Sequence, residues 1–546
     1  MKKRFDLNQR WFSACLMILP IAVIAASPPP QEENSSVESS LSGSSTPAQE
    51  EAFDIWEFQI EGNTVLPTTD VERAVYGFLG ENKTIKDVNA AQQQLESLYH
   101  ARGYGSVLVD LPEQDVLNGV VQLRITEATI GRLKVTGSRY FSLGRIKSKI
   151  PALAAGQIPN LPKVQEELAA LSQISRDRVI TPVLRPSKTP GKLDVELKVK
   201  DILPLHGSVE LNDRYSADTS RLRLNASIRY DNLWQREHSL GFSYQTSPQD
   251  ANEVEVFAAN YLWRFEDSDN LLSAYAVKSD SNVATVGTLG VIGAGVISGL
   301  RYTIPLRNLS KVYHSVTLGV DYKDFGENIG LQGNNAIVTP ISYLMFTSNY
   351  SASHYGDSST SHFDLTLNFG PDGLGNTQKE FERKRFKAIP NFAYLRLTAD
   401  HAEQLWGGTT LFGRVGAQVA DSPLISNEEF AAGGVDSVRG YLESEKQSDN
   451  AFAAAIEFRS PNYGPMLWPA LHGLQILAFT DAAELEIKDP LPGTKPNKLL
   501  WSTGLGLHVD AADHLQAMLT WAYPLKTGDR TQAGDQRVHF SVGYDF

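Results

Sequence analysis

The chain has 546 residues, a length at which we expect two or three folding units rather than one domain. Its formal net charge is −13, an acidic balance that argues against a general nucleic-acid-binding protein, because such proteins present a basic face. Cys15 is the one cysteine, so the rest of the chain has no residue for a disulfide or a thiolate metal site.

The N-terminal segment combines a basic start with an apolar stretch that ends on the small residues Ala25, Ala26 and Ser27. This order predicts a secretory signal peptide over residues 1–26. Residues 27–52 are rich in serine, proline and glutamate and nearly free of apolar side chains. They predict a disordered linker that offers no amphipathic helix.

Two consecutive segments share one succession of predicted elements: strand, helix, helix, strand, strand. Residues 55–62 align with residues 130–137, because both alternate apolar and polar side chains up to a closing glycine. Each segment also finishes on a strand that follows a glycine, Gly119 or Gly191. Such a repeat indicates an array of α+β domains. The two predicted domains are residues 53–127 and residues 128–203.

The tripeptide Arg-Gly-Tyr occurs twice in the chain, and its first copy lies in the first predicted domain. Arg102 and Gly103 end a predicted helix there, and we interpret Gly103 as the left-handed residue that terminates it. Tyr104 is predicted to begin the next strand. The first copy therefore has a purely structural explanation.

From residue 204 to residue 546 the predicted strands follow one another with no helical pattern between them. Apolar and polar side chains alternate along these strands. One face of the last strand carries the residues Val538, Phe540, Val542, Tyr544 and Phe546. Strands of period two with one apolar and one charged face fit either a soluble sandwich or a transmembrane barrel.

Export and length favour the barrel over the sandwich. Membrane strands of about 9–11 residues, with turns and longer outer loops, would divide residues 204–546 into about 16 antiparallel strands. A C-terminal strand that ends on an aromatic residue, Phe546, also fits an outer-membrane barrel. The uncharged residues 283–300 are apolar enough for a transmembrane helix, but they are rich in glycine and we interpret them as strand and turn.

An exported chain with a two-unit repeat and then a barrel resembles the outer-membrane transporters of two-partner secretion, the TpsB family of the haemolysin secretion/activation type. The resemblance extends from about residue 53 to residue 546. It is carried in the first repeat and the first barrel hairpin by Arg102, Gly103, Tyr104, Pro112, Gln114, Gly119, Asn232 and Leu233. It implies two periplasmic POTRA domains, at residues 53–127 and 128–203, and an all-β barrel in the bacterial outer membrane at residues 204–546.

This resemblance also gives an interpretation of the second Arg-Gly-Tyr tripeptide. In the superfamily, a long loop with a Val-Arg-Gly-Tyr or Val-Arg-Gly-Phe tip folds back into the barrel lumen. The matching tip residues are Val438, Arg439, Gly440 and Tyr441. The setting agrees, because residues 421–450 show no strand pattern and loops of that length are usually functional or disordered.

The family also has a Phe-x-Asp-x-Gly motif on a barrel strand, whose Asp meets the Arg of the loop tip. Phe479 and Asp481 match this motif, whereas Ala483 replaces the glycine. Alternation places Phe479 and Asp481 on one face of their strand. The resemblance therefore implies that Asp481 points into the lumen and pairs with Arg439.

The resemblance implies a transporter that binds an unfolded exoprotein through its POTRA domains and moves it to the cell surface through the barrel. The implied partners are the secreted exoprotein, outer-membrane lipid and, during insertion, the barrel-assembly machinery; no nucleic-acid partner is expected. We expect neither a cofactor nor an enzymatic activity, because no catalytic motif and no metal-ligand spacing stands out. The alternatives are an outer-membrane protein assembly or insertion factor of the same superfamily and a passive porin.

Overall fold

The computed structural model describes residues 52–546, apart from residues 117, 218, 267, 282, 287–288, 310, 327 and 331–335. Residues 1–51, with the predicted signal peptide, almost all of the predicted linker and the expected lack of a helix there, lie outside the described residues. The described chain divides into two compact units, and the boundary along the chain lies between Leu203 and Pro204. Each unit has its own core.

The first half of the first unit is a three-stranded sheet covered by helices. Its elements are β1 (Phe53–Ile55), β2 (Glu57–Glu61), α1 (Thr68–Val75), β3 (Gly80–Lys83), α2 (Ile85–Ala101), β4 (Val107–Asp110) and β5 (Val120–Glu127). The sheet order is β2-β5-β4, with β2 and β5 parallel, and β1 pairs separately with β3. Thr84 and Asp87 form a capping box at the start of α2, and the buried side chains Leu95 and Tyr99 of this helix pack on the sheet.

The second half repeats the design. Its elements are β6 (Thr129–Thr136), α3 (Leu143–Ser148), α4 (Leu161–Ile174), β7 (Arg178–Pro186) and β8 (Lys192–Asp201), in the sheet order β6-β8-β7. Its core contains Ile130, Ile146, Leu171 and Leu197, all nearly inaccessible to solvent. The predicted order of strands and helices is present in the second half, and in the first half the strands β1 and β3 are added to it.

Gly103 ends α2 and also contacts the second half. Its φ of +93° is left-handed, as predicted, but β4 begins at Val107 rather than at Tyr104. The amide of Tyr104 still donates to the carbonyl of Tyr99 at 2.9 Å, which keeps Tyr104 in the helix-terminating turn. The carbonyl of Gly103 accepts from the amide of Leu161 at 2.8 Å, so the turn is attached to the first residue of α4.

The second unit is built almost entirely of strands. In chain order these are β9 (Leu205–Asn212), β10 (Arg223–Leu233), β11 (His238–Thr246), β12 (Glu255–Arg264), β13 (Leu271–Ser279), β14 (Val283–Val286), β15 (Leu289–Ile292), β16 (Gly295–Pro305), β17 (Val312–Phe325), β18 (Asn328–Gly330), β19 (Ala336–Val338), β20 (Ile341–Tyr355), β21 (Ser359–Gly370), β22 (Phe392–Gln404), β23 (Thr410–Ala420), β24 (Phe430–Ala432), β25 (Lys446–Ser448), β26 (Asn450–Arg459), β27 (Leu471–Glu486), β28 (Asn497–Ala511), β29 (Leu515–Pro524) and β30 (Arg537–Asp545).

Sixteen of these strands form one closed antiparallel barrel, as predicted. The short hairpins β14–β15, β18–β19 and β24–β25 extend from it. Of the uncharged residues 283–300, residues 283–286, 289–292 and 295–300 lie in strands, in agreement with the predicted strand and turn. Within the described part of the chain, no helix has both the length and the apolarity needed to cross a membrane.

The alternation of the strands places apolar side chains outside and polar ones inside. On β17, Leu318 and Tyr322 are about half exposed, whereas Asp321 and Lys323 are buried in the lumen. Of the predicted C-terminal set, Tyr544 on β30 and Phe546 just after it are exposed, and Phe540 is partly exposed. In a closed barrel the strands hydrogen-bond one another's backbone groups, which hydrocarbon cannot do. The apolar outer face is suited to contact with lipid.

The first and last strands close the barrel through a short seam. β30 and β9 share five residue pairs, whereas β9–β10 and β29–β30 share eight each. The seam is extended by Gly207 and Phe546, whose amides and carbonyls exchange hydrogen bonds of 3.0 and 2.9 Å. This junction has the fewest paired residues of the three.

Two details correct the sequence analysis. Helices do occur in this unit: α5 (Gln378–Lys384) lies in the connection between β21 and β22, and α6 (Gly464–Leu467) between β26 and β27. Both are too short to give a helical period. The predicted patternless segment 421–450 contains the hairpin β24–β25, whose three-residue strands are likewise too short to alternate visibly.

We predict that Gly103→Ala loosens the contact between the two halves of the first unit. The added Cβ would lie 2.6 Å from Cδ of Pro162, in addition to the cost of roughly 1–2 kcal/mol for a side chain at positive φ. Hydrogen exchange of the full-length protein should be faster around residues 100–105 and 158–163.

The matched control is Gly156→Ala. Gly156 has a φ of +87°, but a Cβ there would meet no atom within 4 Å. It should leave exchange at residues 100–105 unchanged. Equal exchange in both variants would show that the contact with Pro162 does not hold the halves together.

Candidate functional site

The segment between β23 and β26, residues 421–449, is called the long loop below. Side chains along its whole length are buried, among them Leu424, Glu428, Val438 and Tyr441. Their contacts are with lumen-facing residues of the wall and with the connections at the end of the barrel remote from Leu205. The loop therefore folds back into the barrel.

Arg439, at the loop tip, is held by two carboxylates of the wall. Its Nε and Nη2 donate to Asp481 Oδ2 and Oδ1 at 2.7 and 2.8 Å, a bidentate pair, and its backbone amide donates to Oδ2 at 3.1 Å. Its Nη1 donates to Glu457 Oε2 at 2.7 Å. Glu457 also accepts from Arg459 at 2.5 Å. The structure thus brings Arg439 and Asp481 together and adds a second acceptor.

The strand register explains how the two carboxylates come to lie side by side. β26 and β27 are antiparallel neighbours, in which Glu457 pairs with Phe479 and Ala455 pairs with Asp481. Glu457 and Asp481 are therefore diagonal neighbours on the lumen face. Two buried carboxylates repel each other, so the guanidinium between them neutralises a site that would otherwise be costly.

The other residues of the two motifs also make contacts at the loop tip. The guanidinium carbon of Arg439 lies 3.4 Å from the centre of the Phe479 ring, a cation–π arrangement. Val438 and Tyr441 are fully buried in a cluster that includes Ala483, the residue that replaces the glycine of the family motif. The methyl group of Ala483 is accommodated in that cluster.

Gly440 allows the backbone to turn at the wall. Its φ is +91°, which favours glycine, and its amide donates to His539 Nε2 of β30 at 3.0 Å. This bond requires His539 Nε2 to be unprotonated. The hydroxyl of Tyr441 donates to the carbonyl of Lys526 at 2.6 Å and accepts from the amide of Trp501 at 3.2 Å.

A second attachment holds the opposite side of the loop. Glu428 is buried and accepts from Lys323 Nζ at 2.5 Å, from Tyr394 at 2.7 Å and from Tyr343. These partners lie on β17, β20 and β22, whereas the partners of Arg439 lie on β26 and β27. Gln418 of β23 donates to the carbonyls of Glu428 and Asp449, which holds the first part of the loop beside its last residue.

Further contacts join the loop to the connections between barrel strands. Arg385, which follows α5, makes a bidentate pair with Asp449 at 2.8 and 2.6 Å and contacts Glu429. Glu445 accepts from the amides of Arg530 and Thr531 at 2.6 and 2.8 Å, in the connection between β29 and β30. The loop is therefore part of the closure of this end of the barrel.

The loop also reaches both strands of the seam. The amide of Glu443 donates to the carbonyl of Tyr215, just beyond β9, at 3.1 Å. The side chain of Glu443 accepts from Arg214 Nε at 3.2 Å. On the other side of the seam, Arg537 of β30 donates to the Tyr215 hydroxyl at 2.8 Å, and His539 holds Gly440.

Several of these residues were not predicted from the sequence. Glu457 could have been predicted, because it alternates with Ile456 and Phe458, which face outward, and so must face the lumen. Glu428, Glu443 and Glu445 gave no signal, because a loop has no period. Their carboxylates are all occupied by cationic, hydroxyl or backbone donors, so the chemistry of the cluster is attachment of a loop to a wall.

Comparison with known proteins gives the site a context. Residues 191–509 match the family described as haemolysin secretion/activation protein ShlB/FhaC/HecB, and residues 53–128 match the POTRA domain of ShlB type. The outer membrane transporter CdiB of Dickeya dadantii (strain 3937) is 22% identical over 532 residues, 91% of this chain and 87% of that protein.

Two solved structures have a similar fold. CdiB from Escherichia coli superposes with a TM-score of 0.64 at 17% identity and covers 93% of each chain. BamA from Haemophilus ducreyi lacking POTRA domains 1–3 gives a TM-score of 0.55 at 14% identity, over 90% of this chain and 100% of that one. At these identities the likeness is one of fold.

We predict that Arg439→Ala loosens the long loop more than Asp481→Ala does. Removing the arginine leaves Asp481 buried without its hydrogen-bonded cation, a change that typically costs about 3–5 kcal/mol. Removing Asp481 leaves Arg439 its bond to Glu457. Arg439→Lys should rescue only in part, because an ammonium cannot copy the bidentate geometry. Hydrogen exchange of residues 430–445 in the folded barrel measures the effect.

The double variant Arg439→Ala/Asp481→Ala should lose less protection than the sum of the single changes, because the second removal eliminates the stranded carboxylate. Lys387→Ala is the control, since it breaks an exposed pair with Asp489 and should change nothing measurable. If the two single effects simply add, Arg439 is not held through Asp481.

Proposed function

Because the chain belongs to the haemolysin secretion/activation protein family ShlB/FhaC/HecB, we propose that it captures an unfolded exoprotein in the periplasm and translocates it through its barrel to the cell surface. The barrel lies in the outer membrane and the POTRA region in the periplasm. The proposal concerns the steps between them: capture by the POTRA domains, passage through the lumen and a long loop that organises the pore.

The observation that carries the proposal is the way in which the loop occupies the lumen. The wall is a closed hydrogen-bonded sheet, whereas the loop is held by side-chain ion pairs and hydrogen bonds such as Arg439–Asp481 and Lys323–Glu428. Polar attachments of this kind can be exchanged for water or for a polar chain. A passage therefore opens by moving the loop, with the wall intact.

Capture requires no catalytic group and no cofactor in this proposal. An extended polypeptide can bind by adding a strand to a free sheet edge. In the first half of the periplasmic unit the edge strands are β2 and β4, and in the second half they are β6 and β7. β7 contains Pro182 and Pro186, which have no amide hydrogen to donate, so β4 offers a more regular edge than β7.

An assembly or insertion factor is the second candidate, and the fold of BamA favours it. The fold alone does not separate the two functions. Residues 53–203 hold two repeats of the α+β unit, whereas assembly factors usually carry more. A passive porin fits less well, because the long loop occupies the lumen and the α+β repeats have no role in passive diffusion.

We predict that deleting residues 53–127 abolishes secretion of the cognate exoprotein while the barrel still assembles. The barrel strands pair only with one another, so their closure does not depend on this segment. Heat-modifiable migration on gels reports assembly, and exoprotein in the culture medium reports secretion. Secretion at the normal level would rule out the proposed capture role.

We also predict that a disulfide between the loop tip and the wall blocks secretion. In a Cys15→Ser background, Gly440→Cys and Ala522→Cys create a unique pair. A Cβ on Gly440 would lie 3.1 Å from that of Ala522, slightly below the usual separation of about 3.5–4.5 Å. Oxidised cells should retain the exoprotein, and a reductant should restore its release.

The single variant Gly440→Cys is the control, because it has the same backbone strain and no crosslink. It should secrete equally under both redox conditions. Normal secretion by the oxidised pair would mean that the exoprotein passes without displacement of the loop tip.

A further inference from the structure

Two neighbouring turns at the periplasmic end of the barrel carry no charged residue. One is residues 460–470, between β26 and β27, and the other is residues 405–409, between β22 and β23. They belong to successive hairpins of the barrel, and a Cβ on Gly408 would lie 3.7 Å from that of Pro461. They are called the apolar turns below.

The large side chains of the apolar turns are strongly exposed. Trp406 and Met466 are 81% exposed, Leu467 is 69% exposed and Trp468 is 68% exposed. Lipid-facing side chains on the adjoining strands are less exposed, for example Ile476 at 53%. The large side chains of the apolar turns are thus more exposed than the lipid-facing side chains of the barrel wall.

The longer turn is built rigidly. The side chain of Asn462 accepts from the amides of Gly464 and Leu474 at 2.9 Å each and donates to the carbonyl of His472 at 2.8 Å. Gly464 lies against β27, where an added Cβ would be 2.6 Å from the carbonyl oxygen of Leu471. These contacts hold α6 against the wall and fix the direction in which Met466, Leu467 and Trp468 project.

Other turns at the same end of the barrel are polar. The turn between β20 and β21 carries Asp357, which pairs with Lys311, and Ser358, which donates to Glu403. The turn between β28 and β29 carries Asp513, 3.1 Å from His472. Exposed apolar side chains also occur on other turns of this end, such as Trp234 at 73% and Leu309 at 63%, but those turns carry charged residues. The two apolar turns differ from the other described turns of the rim by having no charge.

We propose that the apolar turns insert into the periplasmic interface of the outer membrane, so that this sector of the rim is held by lipid. Two observations identify lipid as the partner. The apolar surface is continuous with the lipid-facing side chains Leu411 and Phe458 of the flanking strands. It also presents two tryptophans, which favour the boundary between headgroups and hydrocarbon.

The lack of charge makes the insertion independent of the charge of the lipid headgroup. Insertion driven by apolar area does not need anionic headgroups, unlike the binding of a basic amphipathic segment. The insertion should therefore be equal in zwitterionic and anionic bilayers. It concerns the placement of the barrel in the membrane and is independent of what the barrel transports.

The test labels single cysteines in the full-length Cys15→Ser protein, refolded into phosphatidylcholine vesicles. Leu467→Cys probes the apolar turn, and Ser358→Cys is the matched control on a polar turn of the same rim. Each carries an environment-sensitive fluorophore, and gel migration verifies folding. Acyl chains brominated along their length report contact with lipid, whereas iodide reports contact with water.

We expect the label at Leu467 to be quenched by brominated chains and to be severalfold less sensitive to iodide than the label at Ser358, with the same result when phosphatidylglycerol is added. Equal iodide quenching at both positions would overturn the proposal. So would protection of the Leu467 label from both quenchers, because the turn would then be covered by protein instead of lipid.

Discussion

A carboxylate buried in the wall of this barrel needs a cation, and the path of the long loop follows from that need. Asp481 is almost inaccessible to solvent, and its charge is compensated by an arginine 42 residues earlier in the chain. Burying an uncompensated charge costs several kcal/mol, more than most single contacts contribute. The backbone of the wall is already paired within itself, as hydrocarbon requires. Side-chain electrostatics therefore decide where the loop lies.

The architecture was predictable because each part of it has a period. Alternation along β17, β21 and β30 identified the lumen face, and the repeated succession of elements identified the two halves of the first unit. The strand count followed from length. Elements without a period were missed, such as the three-residue strands of β24–β25. α5 was missed although Thr377 and Glu380 form a capping box at its first turn, a pattern that marks a helix start.

The site was predictable only where a strand contributes to it. Alternation put Asp481 inside, and the same reasoning applied to β26 would have given Glu457. The partner of a loop residue cannot be read in this way, because the loop returns across the lumen to strands distant in sequence. Lys323 is 105 residues from Glu428, and Arg214 is 229 residues from Glu443. Such pairings depend on the closed shape of the barrel, which no local pattern encodes.

The short seam between β9 and β30 links the assembly of the barrel to the docking of the loop. The loop tip touches His539 on the last strand, and Glu443 touches Tyr215 just after the first, so neither contact exists until both ends of the sheet have met. Contacts of such long sequence separation form late in folding. A chain truncated before β30 would therefore lose the contact at Gly440 as well as the closure of its sheet. The contacts at the seam are the part of the loop's docking that only a closed barrel provides, so an incomplete barrel would leave this part of the loop more accessible to proteases.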